Sequence, residues 1–411
     1  MRIQIPKDAE RIIEILNDNG FEAYVVGGCV RDSILGREPE DWDITTSAKP
    51  PEIKSLFTKT IDTGIQHGTV TVRMGGCSYE TTTFRIDGVY EDNRHPKQVE
   101  FTSLLSEDLK RRDFTINAMA YSPKTGLVDI YNGMGDLENR IIRCVGNADE
   151  RFDEDALRTL RAVRFAGQLD FTIEDKTYEA IRNAAENIEN VSVERIRVEI
   201  TKLLMSHGAD RMLAAYDTGL TDHFLPEWDR LVEDDKAEAA LARVRYINDN
   251  YAGLPERDRR ILCFAGLMVE MPDVAGILRR LKFDNYTIDM IKRIAKYYPV
   301  SLDVDRYNMK KIIGGAGYDA MEKIFIMKEA GAGCVDDEIT KVRRLYEDIM
   351  ENREPVYIKD LAVTGVDIMD VGIPAGKEVG RILEELLEEV LYEPEKNTKE
   401  YLIRRASEIL Y

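Results

Sequence analysis

The sequence predicts an α+β head followed by an all-helical remainder. Short runs rich in β-branched and aromatic residues, the mark of strands, cluster before Tyr131. From Asp149 to Tyr411 helical periodicity takes over, with Gly, Asn or Pro breaks near Asn190-Val191-Ser192, Gly219 to Pro226, Gly253-Leu254-Pro255, Tyr298-Pro299 and Glu354-Pro355. The chain has 411 residues, more than one ordinary domain, and no fixed-period repeat or low-complexity tract.

The elements follow in order. Lys7 to Asn19 places Ile12, Ile13 and Leu16 on one helical stripe, with Gly20 as a stop. Strands are expected at Ala23–Val26, at Asp43-Ile44-Thr45, over Gly68–Arg73 and over Tyr79–Arg85. Val99–Phe101 and Gly126–Tyr131 are two more candidates. Ser192 and Glu194 read as the cap and first-turn acid of a helix carrying Ile196, Ile200, Leu203 and Leu204.

Composition narrows the function. Hydrophobic residues make up 44% and charged residues 32%, a globular balance that rules out disorder over the bulk of the chain. No apolar run is long enough to span a bilayer, and the N-terminus has no signal-peptide core. Five scattered cysteines form neither a zinc pair nor a disulfide framework, so a cytoplasmic protein is expected. The net charge of −19 argues against nonspecific coating of a polyanion, but not against an enzyme with its positive charge gathered in one cleft.

The most informative segment is Val25-Val26-Gly27-Gly28-Cys29-Val30-Arg31-Asp32, followed by Glu40-Asp41-Trp42-Asp43-Ile44. A strand that ends in Gly-Gly and enters a helix lets backbone amides approach a phosphate, because no Cβ intervenes. Arg31 adds a cation in the first turn. Asp41 and Asp43 alternate along the next strand, so both carboxylates share a face while Trp42 turns to the core. A hard Mg²⁺ ion suits such a pair, with substrate phosphates and water completing its shell. Glu80 is the candidate third carboxylate. Taken singly, a Gly-Gly is a tight turn and an acidic pair a solvated strand edge; together they point to nucleotide chemistry.

A second constellation is Glu154-Asp155-Ala156-Leu157-Arg158-Thr159-Leu160-Arg161-Ala162-Val163-Arg164-Phe165. On a helix Asp155 and Arg158 share a face, and Arg161 and Arg164 continue as a slowly rotating strip. The bland reading is a surface ion pair. The sharper one is base recognition: a carboxylate accepts from an exocyclic amino group while a guanidinium donates to the acceptor beside it. Cytosine and adenine offer that pattern; uracil and guanine place a carbonyl where the amino group is needed. A third segment, Leu109 to Ala118, carries Arg111, Arg112 and Asp113 ahead of a helix-like stretch, after a polar, breaker-rich loop from Asp87 to Pro96.

GGCVRD, EDWDITTSAKP, GIQHGTVTV, ETTTFR, DGVYEDNRHP, EDLKRRDFTINAMAY, IRCVG, RFDEDALRTLRAVRFA and SVERIRVEITKLL stand in the order found in tRNA nucleotidyltransferases. The chain resembles the bacterial CCA-adding enzymes of the polymerase-beta-like superfamily, densely over about residues 20 to 230. The likeness resumes at Thr364–Ile368, Gly372–Lys377 and Pro394–Glu400. It implies a nucleotidyltransferase head (1–148), a helical neck with the base-reading helix (149–205), a helical body (206–300) and a helical tail that holds tRNA (301–411).

By position, the resemblance implies that Gly28 and Arg31 hold the triphosphate and that Asp41 and Asp43 hold the catalytic metals, with Glu80 a candidate third ligand. Arg112 would contact the nucleotide and Asp113 its ribose. Asp155 and Arg158 would act as an amino-acid template, supported by Arg161 and Arg164. The implied reaction is template-independent addition of C, C and A to the 3′ end of tRNA from CTP and ATP, with Mg²⁺ and no obligatory protein partner. A poly(A) polymerase is disfavoured because Gly64–Val70 stands where such relatives carry an Arg-rich strand. The Asp87–Pro96 loop favours an enzyme that adds A, whether alone or after CC. A small-molecule nucleotidyltransferase and a noncatalytic RNA-binding protein are the more distant alternatives.

Overall fold

The first helix, Lys7–Asp18, buries Ala9, Ile12, Ile13 and Leu16, as its apolar stripe requires. It leads into strand β1 (Ala23–Val26), followed by β2 (Ile44–Thr46), β3 (Thr60–Gly64), β4 (Thr69–Met74), β5 (Cys77–Thr83), β6 (Arg85–Asp87), β7 (Val99–Phe101), β8 (Met119–Ser122) and β9 (Gly126–Asp129). The computed structural model describes residues 2–87, 99–301 and 305–410. The chain forms two compact units, Met1–Glu233 and Asp234–Tyr411.

Seven strands make one mixed sheet in the order β3-β4-β5-β2-β1-β8-β9, while β6 and β7 form a separate antiparallel ribbon. β1 runs antiparallel to both β2 and β8, and β2 runs parallel to β5. On this sheet Tyr24, Val26, Phe84, Leu105, Leu109 and Ala120 pack into one cluster. The α+β head and helical remainder are as the pattern predicts.

Four strands escape the pattern: β3, β8 and the short parallel pair β10 (Ile141–Ile142) and β11 (Thr172–Ile173). The stretch after Arg112 reads as helix-like, yet it makes a 3₁₀ turn, Thr115–Asn117, and then β8 in the middle of the sheet. All four β8 residues are buried, so the alternation that marks a one-sided strand is missing. β3 is the opposite case, an edge strand that is mostly exposed and carries no apolar signal. The expected strand around Asp41 and Asp43 is also shorter: β2 begins only at Ile44. Asp43 remains tied to the sheet, its carbonyl accepting from Val26 N–H at 3.0 Å. Trp42 is half-buried rather than a core residue, because no strand pleat turns it inward. Apart from Asp87, which ends β6, the polar loop Asp87–Pro96 lies outside the described residues.

Beyond the sheet, the helices Ala148–Glu154, Leu157–Leu169, Asp175–Asn183 and Val193–Leu204 complete most of the first unit. Leu157–Leu169 is mostly buried, Arg158 and Arg164 included, with Arg161 and Gln168 partly exposed on one face. Ser192 occupies the cap position of Val193–Leu204, but its side chain makes no capping hydrogen bond. The second unit is helical from Ala237 to Leu410. Its C-terminal core gathers Leu361, Ile368, Ile382, Leu386, Val390 and Leu402. No helix among the described residues is long and apolar enough to cross a membrane.

One backbone contact sets how closely the buried helix is approached. A Cβ placed on Gly167 would lie 2.7 Å from the Gly208 carbonyl oxygen and 2.6 Å from Leu203 Cδ1; one on Gly208 would lie 2.3 Å from the Gly167 oxygen. Helix propensity favours Ala over Gly by about 1 kcal/mol. Overpacking against backbone, which cannot swing aside, costs about 1–3 kcal/mol and wins. Gly167→Ala is therefore expected to lower the unfolding midpoint by several degrees in a thermal melt. A raised midpoint would show that propensity prevails there and that the contact is soft.

Candidate active site

The β1–helix turn is built around Gly27, which takes φ 84° and ψ −130°, a conformation that L side chains rarely adopt. A Cβ there would also meet Arg112 Nη1 at 3.0 Å. At Gly28 an added Cβ would stand 3.7 Å from Arg31 Nη2, so the Arg31 guanidinium faces the glycine turn. Arg31 is nearly buried and firmly held: Nε and Nη2 donate to Asp32 at 2.9 and 2.8 Å, and Nη1 donates to Asn117 Oδ1 at 2.7 Å. Of its five N–H groups two remain for a ligand. Arg112 donates from Nη2 to the fully buried Asp108 at a long 3.4 Å, and its own buried Nε has no hydrogen-bond partner among the described residues. A guanidinium beside a glycine turn suits an anionic ligand, since it offers charge and planar donors at once.

Opposite these cations stand the carboxylates. Burial first, then the charge of Asp41, pushes Asp43 up to about 6; Arg112 opposes the shift and Glu80 adds to it. Asp43 and Glu80 lie at neighbouring register positions, since β2 pairs with β5 through Ile44 and Thr81. The carboxylates thus repel one another where a hard divalent cation would relieve them, and the donor set fits one. Among the described residues no group of three His, Cys, Asp or Glu side chains is assembled to hold a metal ion. Asp41 and Asp43, with Glu80 beside them, are the carboxylates that would hold such a cation.

The second constellation is arranged differently from the sequence expectation. Asp155 does not share a helix with Arg158; it sits between two helices, with φ −147° and ψ 100°. Its partner is Arg195, whose Nη1 and Nη2 donate to Oδ1 and Oδ2 at 3.2 and 2.7 Å, while Leu157 N–H donates to Oδ1 at 3.2 Å. That leaves an acceptor position on Oδ2. Arg158 pairs instead with Glu154 at 2.6 Å and donates to the carbonyls of Arg151 and Arg111 at 3.1 and 2.9 Å.

Asp113, expected at the ribose, is engaged within the fold. Oδ1 accepts from Phe114 N–H at 2.8 Å and Asn117 Nδ2 at 3.1 Å, and Oδ2 accepts from Arg161 Nε and Nη2 at 2.9 and 2.6 Å. All four lone-pair positions are taken. Burial alone would raise Asp113, but the charge and hydrogen bonds of Arg161, with help from Asn117, hold it far below the usual carboxylate range. Nor do Arg161 and Arg164 form an open cationic strip. Arg164 is buried and bonded to Glu199 and Gln168, and Arg161 lies 3.6 Å from Glu199 as well. Three guanidinium carbons, of Arg31, Arg161 and Arg164, surround the Phe165 ring at 5.0, 5.3 and 3.8 Å from its centroid.

Sequence reasoning missed Asn117, Arg195 and Glu199. Arg195 and Glu199 are four apart on Val193–Leu204, a spacing that puts both on one face and was the available signal. Asn117 carried none, because it lies in a turn that the sequence presents as helix.

Comparison with known proteins agrees along the chain. Residues 23–143 match the family "Poly A polymerase head domain", residues 170–231 "Probable RNA and SrmB- binding site of polymerase A", and residues 256–406 tRNA nucleotidyltransferase domain 2. The CCA-adding enzyme of Ligilactobacillus salivarius is 38% identical over 98% of this chain and 96% of its own. That of Limosilactobacillus reuteri is 36% identical, with the same shares covered. The crystal structure of the Bacillus stearothermophilus CCA-adding enzyme in complex with CTP is similar with a TM-score of 0.81 at 32% identity, covering 99% of this chain and 98% of that one.

The raised Asp43 makes a stability prediction with a definite sign. Between about pH 4 and 6 the folded protein holds a proton that the unfolded chain has released, so this group's contribution declines as pH rises through that window and is unfavourable above it. Asp43→Asn removes the repulsion. Without divalent cation at pH 7.5 it should stabilise the protein by about 1–3 kcal/mol, a rise of a few degrees in melting temperature. The gain should shrink towards pH 4.5. A destabilised variant at neutral pH would refute the charge-repulsion account.

Proposed function

Because the chain belongs to the CCA-adding enzymes, a family of tRNA nucleotidyltransferases, we propose that it completes tRNA 3′ ends with the residues assigned below. The enzyme adds C, C and A from CTP and ATP and releases pyrophosphate. The 3′ oxygen of tRNA forms a bond to the α-phosphorus as the bond from that phosphorus to the bridging oxygen of the β-phosphate breaks. The observation that carries the assignment is the charge gathered at the glycine turn: Arg31 with two donors beyond those given to Asp32 and Asn117, and Arg112 beside Gly27, near an Asp43 raised by burial and by Asp41.

Arg31 and Arg112 bind the triphosphate at the Gly27–Gly28 turn and offset the charge that grows on the departing pyrophosphate. Asp41 and Asp43 would hold Mg²⁺, which when bound activates the attacking oxygen and stabilises the leaving one. Arg112 lies close enough to favour the charged form of Asp43, so the same side chain serves both halves of the site.

Base choice falls to Asp155 and Arg158. Arg195 fixes the Asp155 carboxylate and leaves an Oδ2 lone pair, which accepts the N4 amino group of cytosine or the N6 amino group of adenine. Arg158 donates to the adjoining ring nitrogen. Uracil and guanine would face that carboxylate with a carbonyl, two acceptors opposed. Charge alone does not discriminate in this way; hydrogen-bond polarity does.

Two measurements test these roles. Transcripts ending at the discriminator base, at -C and at -CC should each be extended to -CCA and no further when CTP and ATP are given together, whereas CTP alone should stop at -CC and ATP alone should complete only the -CC end. Asp155→Ala should then cut the preference for C and A over U and G by about five- to a hundredfold, the worth of a well-made base-edge contact. Turnover should fall with it as the base loses its alignment. Parental selectivity in a folded, active Asp155→Ala enzyme would remove Asp155 from the template.

A further inference from the structure

The Arg31 guanidinium is held by more than its neighbour Asp32. Asn117, in the Thr115–Asn117 turn and nearly buried, accepts from Arg31 Nη1 through Oδ1 at 2.7 Å and donates to Asp113 Oδ1 through Nδ2 at 3.1 Å. The carboxamide has one workable orientation. A guanidinium has no acceptor and an ionised carboxylate no donor, so the oxygen must face Arg31 and the nitrogen Asp113. Asp113 in turn is chelated by Arg161 of the Leu157–Leu169 helix. Four side chains therefore form an unbroken line, Arg161 to Asp113 to Asn117 to Arg31, from that helix to the glycine turn. Aspartate at 117 would set two carboxylates against each other, and a shorter side chain would not span the gap.

We propose that Asn117 is a positioning residue for nucleotide binding: it locks the Arg31 guanidinium in the orientation that leaves two N–H donors for the triphosphate. The proposal rests on the assignment of Arg31 to the triphosphate. Asp32 alone grips one edge of the guanidinium and leaves it free to swing on that edge; the bond to Asn117 fixes the remaining direction. The Phe165 ring, 5.0 Å from the guanidinium carbon, limits motion out of plane. Since the line ends at phosphate rather than at a base, loosening it weakens CTP and ATP alike.

The test is a double-mutant cycle in the full-length enzyme with Asn117→Ala, Arg31→Ala and the pair. Nucleotide affinity is measured by calorimetry with CTP and with ATP, alongside steady-state kinetics on tRNA ends and a thermal melt. A lost hydrogen bond to a charged group corresponds to about tenfold or more in affinity. Asn117→Ala should thus raise KM for CTP and for ATP by roughly tenfold each, with their ratio and tRNA affinity unchanged and kcat little altered. In the Arg31→Ala background the same substitution should add nothing. If Asn117→Ala does not fold, Asn117→Ser, whose hydroxyl stops short of Arg31, is measured in its place. Unchanged KM values, or an effect that adds in full to that of Arg31→Ala, would overturn the role of Asn117 and leave it a purely structural residue. Parental nucleotide affinity in Arg31→Ala would instead overturn the triphosphate assignment beneath it.

Discussion

Asp113 is an ionised carboxylate buried where bare burial would neutralise it, and it stays charged because every lone pair is filled. Two of those four bonds come from Arg161, and Glu199 then stands between Arg161 and Arg164. Removing any one of these charges would leave the others uncompensated in a dry interior, a loss of about 3–5 kcal/mol for a broken buried pair. Arginine suits this place because its planar fork grips a carboxylate with two bonds at once and keeps its charge when buried. The turn that carries Asp113 and the helix that carries Arg161 are thereby held in one register, and both the phosphate cradle and the base-reading residues take their positions from it.

Against that closed network, the arginines beside the glycine turn keep donors in reserve. Arg161 and Arg164 have carboxylates of their own; Arg31 keeps two donors, and Arg112 a buried Nε with no partner among the described residues. At Asp43 burial and the charge of Asp41 outweigh the opposite charge of Arg112. Such an arrangement suits a triphosphate and a cation, whose charges would offset those of the proposed site.

The overall acidity of the chain sharpens the same point. With a net charge of −19, long-range attraction cannot hold tRNA, so contact must come from local cations that internal partners have not claimed. Arg164 is excluded from that set by burial and by Glu199. Lys377, exposed at the start of the helix Lys377–Tyr392 in the second unit, remains in it.

Much of this was legible in the residues. Local chemistry decides the glycine turn after an apolar strand, the acidic pair beyond it, the strand-rich head and the helical remainder, and all are written in contiguous sequence. Periodicity failed where burial was total or absent: β8 is covered on both faces and β3 on neither, so neither shows alternation. It failed again over pairs. Asp155 and Arg158 are three apart and look like partners, but the chain breaks between two helices at Asp155 and turns its carboxylate to Arg195, forty residues on. Which cations stay free for a ligand, and which are consumed within the fold, depends on contacts between distant segments. Sequence by itself determined which residue types stand ready for nucleotide chemistry. Only the tertiary structure decided which of them are already satisfied, because a hydrogen-bond donor or acceptor is spent by whatever neighbour packing brings within about 3 Å.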